Sequence, residues 1–197
     1  FSALLPELRQ LNRTLQAKGC RLVLATALRR PFERAVSNVY WAAHTRPDRY
    51  SNASAALREP WMADLQCNTL LRGESDAQAQ SGNLSQRAAE VLSNFDVVGK
   101  TENLESFIAS LADALGIPAA NQPPLPREHD TSGLSNPFEF SDEDMRLARE
   151  LNQADNELYR SARIRRWKPA EPSADETSPR IGPSDQASSL AAASSDC

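Results

Sequence analysis

Cys20-Arg21-Leu22-Val23-Leu24-Ala25-Thr26-Ala27-Leu28-Arg29-Arg30-Pro31 is the stretch from which the rest of the chain is read. From Leu22 to Leu28 it is continuously apolar or small, short, and bounded by Gly19 and Pro31, which predicts a strand buried on both faces. Strands of that kind belong to parallel sheets flanked by helices. On the amino side, Leu4, Leu8, Leu11 and Leu15 recur at helical spacing, and Gly19 follows as a carboxy-terminal cap. On the other side, Phe32, Ala35, Val36, Val39, Tyr40 and Ala43 return to that spacing with Pro31 placed for a first turn. Helix, strand, basic turn, helix is the pattern of an α/β unit.

Further outward, the polar residues 44–60 read as a loop, and 61–72 and 86–94 as helices separated by a soft stretch, 73–82. Phe95-Asp96-Val97-Val98-Gly99 is a second short strand. It leads into a helix in which Leu104, Phe107, Ile108, Leu111, Ala112 and Leu115 follow the helical template until Gly116 and Pro118 stop it. Residues 117–137 carry Pro118, Pro123, Pro124, Pro126 and Pro137 and form an extended linker. One final helix begins at Ser141, a hydroxyl cap with Asp144 three residues on, and ends among Arg160, Arg163, Arg165 and Arg166, which suit the negative end of its dipole. Beyond Trp167, thirty Ser-, Ala- and Pro-rich residues hold only Ile181 and Leu190 as large aliphatics, too few to offset ordering entropy. Residues 1–167 are therefore expected to fold, and 168–197 to form a disordered tail.

The 197 residues suffice for one domain of ordinary size, and no apolar run reaches the roughly 20 residues of a membrane span. The chain opens at Phe1 rather than methionine and is expected to be a piece of a longer protein, with any membrane anchor upstream of it. Three cysteines (Cys20, Cys67, Cys197) and two histidines (His44, His129) lack metal-ligand spacing, so no metal site is expected. Cys20 and Cys67 read as buried free thiols. Net charge is −4, but residues 1–60 hold ten Lys/Arg against four Asp/Glu, so the amino-terminal third is the part that attracts anions. A nucleic-acid partner is disfavoured: the basic residues are not interleaved with aromatics and the pI is about 5.3.

Where the first strand ends, Arg29 sits at its carboxyl edge, and the next helix aims its amino terminus at the same spot. A phosphate placed there meets a guanidinium and a positive dipole end. Ser37 follows two helical turns on. Leu28, Arg29, Pro31, Arg34, Ser37 and Tyr40 fit the pattern Leu-Arg-Asp-Pro-x-x-Arg-x-x-Ser-x-x-Tyr, with Arg30 in place of the acid. This resembles the 3′-phosphate-binding segment of sulfotransferases that use 3′-phosphoadenosine 5′-phosphosulfate. Three further stretches follow in family order. Asp64 to Leu71 is similar to an Asn-x-Gln-Thr-Arg-x-Leu element, Phe95 to Glu102 to Phe-x-x-Val-Gly-x-Thr-Glu, and Leu151 to Tyr159 to Leu-Asn-x-x-Asp-x-x-Leu-Tyr. The resemblance spans about residues 20–165 and points to Golgi carbohydrate O-sulfotransferases of the uronyl 2-O type.

It implies a partial P-loop-like sulfotransferase fold, helix-rich with a small parallel sheet. It also implies sulfuryl transfer from 3′-phosphoadenosine 5′-phosphosulfate to a hydroxyl, on a carbohydrate or another acceptor, in a Golgi lumen. Carried over by position, Arg29 and Ser37 hold the donor's 3′-phosphate, which suits a guanidinium fork and a hydroxyl donor. Arg34 is expected in a structural pair, with Glu33 or a neighbouring helix, and Tyr40 in the core. Thr101 and Glu102 either border the adenine pocket or form a helix cap and first-turn acid.

The family's 5′-phosphosulfate loop and the upstream segment bearing its general base have no counterpart, so this piece alone is expected to be inactive and its catalytic residues are unassigned. His44 and His129 read as surface histidines. The competing expectation is a non-catalytic helical module that binds a protein partner. Three sequons, at Asn12, Asn52 and Asn83, permit glycosylation.

Overall fold

The computed structural model of the protein describes residues 1–46, 48–73, 82–118 and 138–167. The 117–137 linker beyond Pro118, most of the 73–82 stretch and the 168–197 tail lie outside the described residues.

Helix α1 (Leu5–Gln16) buries Leu5 and leaves Leu11 exposed; Gly19, at φ 77°, turns the chain back. Strand β1 (Ala25–Leu28) pairs in parallel with β2 (Val97–Lys100), Ala25 opposite Val97 and Leu28 opposite Lys100. The expected strand is thus shortened at its start, and the cause is side-chain competition for its backbone. Asn12 accepts from the Leu22 N–H and Asp96 from the Leu24 N–H, so the ladder opens only at Ala25. Nor is β1 buried on both faces: only Leu28 is fully buried. The other edge of β2 is touched by Arg165, whose backbone bridges Val98.

Helix α2 (Pro31–Thr45) starts with proline at its first turn and turns Ala35, Val39, Ala42 and Ala43 inward. The expected 44–60 loop contains a short helix, α3 (Ala53–Leu57), because the Asn52 side chain caps it through the Ala55 N–H. The expected 61–72 helix is instead a single 3-10 turn (Pro60–Met62) followed by α4 (Leu65–Leu71), broken at Asp64, which takes a left-handed φ of 42°. Helix α5 (Leu84–Leu92) begins two residues earlier than expected, where Asn83 accepts from the Ser85 N–H. After a 3-10 turn (Thr101–Asn103) comes α6 (Leu104–Ala114), as expected, although Leu104 and Leu115 remain exposed.

The expected single final helix is two: α7 (Asp142–Glu150), with the capping box at Ser141 and Asp144, and α8 (Gln153–Ser161). Asp64 explains the interruption. Its backbone N–H donates to the Leu151 carbonyl and its carboxylate accepts from the Asp155 N–H, displacing the bond those two groups would make in a continuous helix. One residue therefore breaks two helices and joins them.

Two apolar clusters result. One gathers Leu5, Leu28, Cys67, Leu70, Leu71, Val91, Leu92, Phe95, Val98 and Leu158 around the sheet. The other gathers Ala35, Val39, Ala42, Tyr50, Leu57, Met62 and Ala148 between α2, α3 and α7. The architecture is helix-rich with a two-stranded parallel sheet, an α/β arrangement. Cys67 is buried and free, but Cys20, half-buried just beyond α1, is disulfide-bonded, so the free-thiol expectation fails there.

Candidate functional site

The carboxyl ends of β1 and β2 lie side by side, and the β1–α2 turn is pinned to its surroundings through backbone groups. Gln66 holds both polar atoms of Arg29's main chain: its Oε1 accepts from the Arg29 N–H at 2.9 Å, and its Nε2 donates to the Arg29 carbonyl at 3.0 Å. The next N–H, of Arg30, donates to Glu102 Oε1 at 3.1 Å. Glu102 also accepts from the Tyr159 hydroxyl at 2.8 Å, and Tyr159 carries Lys100 Nζ 4.1 Å over its ring. Burial by itself raises the Glu102 carboxyl; the bonds from Tyr159 and Arg30 outweigh it and hold the group below its ordinary range. Thr101 caps nothing, because neither the 3-10 turn nor α6 has a side-chain cap. Glu102 is thus a clamp on the β1–α2 turn.

The second anchor is Asp155, 1% exposed. Its carboxylate accepts from the Gln66 and Cys67 N–H groups, at 2.9 and 2.7 Å, and so occupies the amino terminus of α4. Arg34 of α2 faces it at 3.7 Å. The expected structural pair for Arg34 is therefore made with a neighbouring helix, not with Glu33, which takes Arg30 instead. Burial lowers the Arg34 guanidinium, the Asp155 charge raises it and the nearby Arg29 charge lowers it again; the net shift is downward. Burial, then Asp155, raises the Cys67 thiol, which leaves it a poor nucleophile.

Against this fixed frame Arg29 stands apart. Its side chain is exposed and makes no hydrogen bond or ion pair among the described residues, whereas Arg30 and Arg34 are both paired. Ser37 is half-buried, and its hydroxyl likewise bonds to none of the described residues. It sits three residues beyond Arg34, hence on the same face of α2 and about one turn further from the sheet. Helix α2 opens on Pro31, which has no N–H, and no side chain caps its first turn.

Tyr40, expected in the core, is half-buried and packs edge-on against Phe140 with centroids 5.8 Å apart. His44 is exposed near the far end of α2, its Nδ1 2.9 Å from the Tyr40 carbonyl; His129 lies outside the described residues. Among the described residues no three His, Cys, Asp or Glu side chains cluster as metal ligands, and no helix is long and apolar enough to cross a membrane. Gln66, Asp155 and the clamping role of Glu102 were not foreseen as parts of this site. Comparisons with family models, curated proteins and solved structures return no match.

Proposed function

We propose that the protein binds the 3′-phosphate of 3′-phosphoadenosine 5′-phosphosulfate at Arg29 and Ser37 and serves sulfuryl transfer to a hydroxyl acceptor of carbohydrate type. One observation carries this reading. Four stretches up to 130 residues apart in sequence, each similar to a sulfotransferase element, meet at one place: Arg29 on Gln66, Arg30 on Glu102, Glu102 on Tyr159, and Arg34 on Asp155. Their bonds fix the turn and leave a guanidinium and uncapped helix N–H groups for an anion. A rigid main chain beneath a free Arg29 lowers the entropy cost of binding. No general base is assigned to a described residue.

Calorimetric titration with adenosine 3′,5′-bisphosphate tests the proposal. The expected outcome is binding that Arg29→Ala weakens by about a hundredfold and Ser37→Ala by about tenfold, both variants melting like the parent. Absence of binding, or binding indifferent to both changes, overturns it. A second reading, a non-catalytic module for a helical partner, draws on the exposed Leu104 at the start of α6 and Leu115 just beyond its end. That alternative gains if the bisphosphate does not bind.

A further inference from the structure

Among the described residues the sheet has one edge closed and one open. In a parallel ladder, successive residues of a strand turn their N–H and C=O groups to alternate sides. On β2, Val98 turns away from β1, and its N–H and C=O exchange bonds of 3.1 and 3.0 Å with Arg165. On β1, the Leu24 carbonyl accepts from the Val97 N–H, so Leu24, Thr26 and Leu28 face β2 while Val23, Ala25 and Ala27 face the other way. The main-chain groups of those three bond to none of the described residues. At Arg29, the next outward position, Gln66 holds both the N–H and the C=O and ends the edge. What remains is about five residues of strand with small or apolar outward positions and nothing paired to their backbone.

Such an edge takes a strand. A second copy of the chain suits it poorly, because two antiparallel β1 strands centred on Ala25 set Arg21 of each directly against Arg29 of the other. The chain itself supplies a better occupant. Cys20, just ahead of Val23, is disulfide-bonded; of the other two cysteines Cys67 is free, which leaves Cys197. Counting back from Cys197 opposite Cys20 sets Asp196 against Arg21, Ser194 against Val23, Ala192 against Ala25 and Leu190 against Ala27, an antiparallel register with opposite charges at its first pair. Residues 184–197 hold no proline, so every N–H that the pairing needs is there. We infer that Cys197 is bonded to Cys20 and that residues 190–194 dock as a third, antiparallel strand on the outer edge of β1. By composition a Ser- and Ala-rich segment does not offset its own ordering entropy. The covalent tie makes the docking intramolecular, at an effective concentration on the order of millimolar, and the three facing pairs then exchange about six main-chain bonds. This strand stands independently of the sulfotransferase reading.

Peptide mapping of the full chain without reductant is expected to recover Cys20 linked to Cys197. Residue-resolved amide exchange then reads the strand. The N–H groups of Ala25 and Ala27, which face the edge, are expected to exchange about tenfold faster in Cys197→Ser, while those of Thr26 and Leu28, which face β2, keep their protection and report an intact fold. Ala192→Pro removes the N–H facing Ala25 and keeps the cysteine; it is expected to release the same two amides with the linked peptide still recovered. If Cys197→Ser releases all four amides, the same comparison in Ala192→Pro decides. Three results overturn the inference: Cys20 linked to any other cysteine, Ala25 and Ala27 exchanging alike in the parent and in Ala192→Pro, or a protection of those amides that rises with protein concentration and so belongs to a second copy.

Discussion

Glu102 reaches three groups with one carboxylate: the Arg30 N–H, the Arg30 guanidinium at 3.8 Å, and the Tyr159 hydroxyl. Its depressed pKa makes a signed prediction. A carboxyl held below its unfolded value of 4.5 stabilises the fold fully above that pH and loses the contribution as the pH falls through the folded value. Glu102→Gln should therefore cost about 1 kcal/mol at pH 7, and the gap to the parent should close below about pH 4.5. Urea unfolding at stepped pH measures it; a gap that does not narrow as the pH falls below 4.5 contradicts the clamp. The sequon asparagines show a different economy at this scale. Asn52 and Asn83 cap helices and Asn12 holds the Leu22 N–H, so all three have local structural reasons to be asparagine.

At the scale of elements, whatever depends on periodicity and caps could be read from the chain. Helix α6 followed from Leu104, Phe107, Ile108 and Leu111, and the start of α7 from Ser141 and Asp144, which form the expected reciprocal cap. Ser141→Ala should lower stability by about 1 kcal/mol, seen as a shifted urea midpoint with unchanged slope. What the chain could not disclose was competition between distant segments for the same backbone groups. Nothing local marks Asp64 as the residue that takes Leu151's carbonyl, so residues 141–166 read as one helix when they form two and a tail. The shortened β1 has the same origin, in Asn12 and Asp96. At the candidate site, the place of Arg29 directly after β1 was legible because an arginine after a strand is a local pattern. Gln66 and Asp155 were not, since their roles exist only once α4 and α8 have met the β1–α2 turn.

The molecule as a whole is two apolar clusters, with Arg34 on an element of one and Asp155 on an element of the other. Removing a partner from a buried ion pair costs about 3 to 5 kcal/mol, since the other charge is left unpaired. Asp155→Ala should fall in that range and also uncap α4. Because α2, α3 and α7 lean on the rest partly through this contact, their amides should lose hydrogen-exchange protection ahead of those in α5 and β2. Uniform loss across both clusters contradicts that division. The same bond has a consequence for the order of events in time. Asp155 meets Gln66 and Cys67 across nearly ninety residues, so a ribosome must deliver most of the described chain before the latch can close. If the latch closes only after the folding barrier, its loss quickens unfolding many-fold while scarcely slowing refolding, which stopped-flow rates on Asp155→Ala read directly.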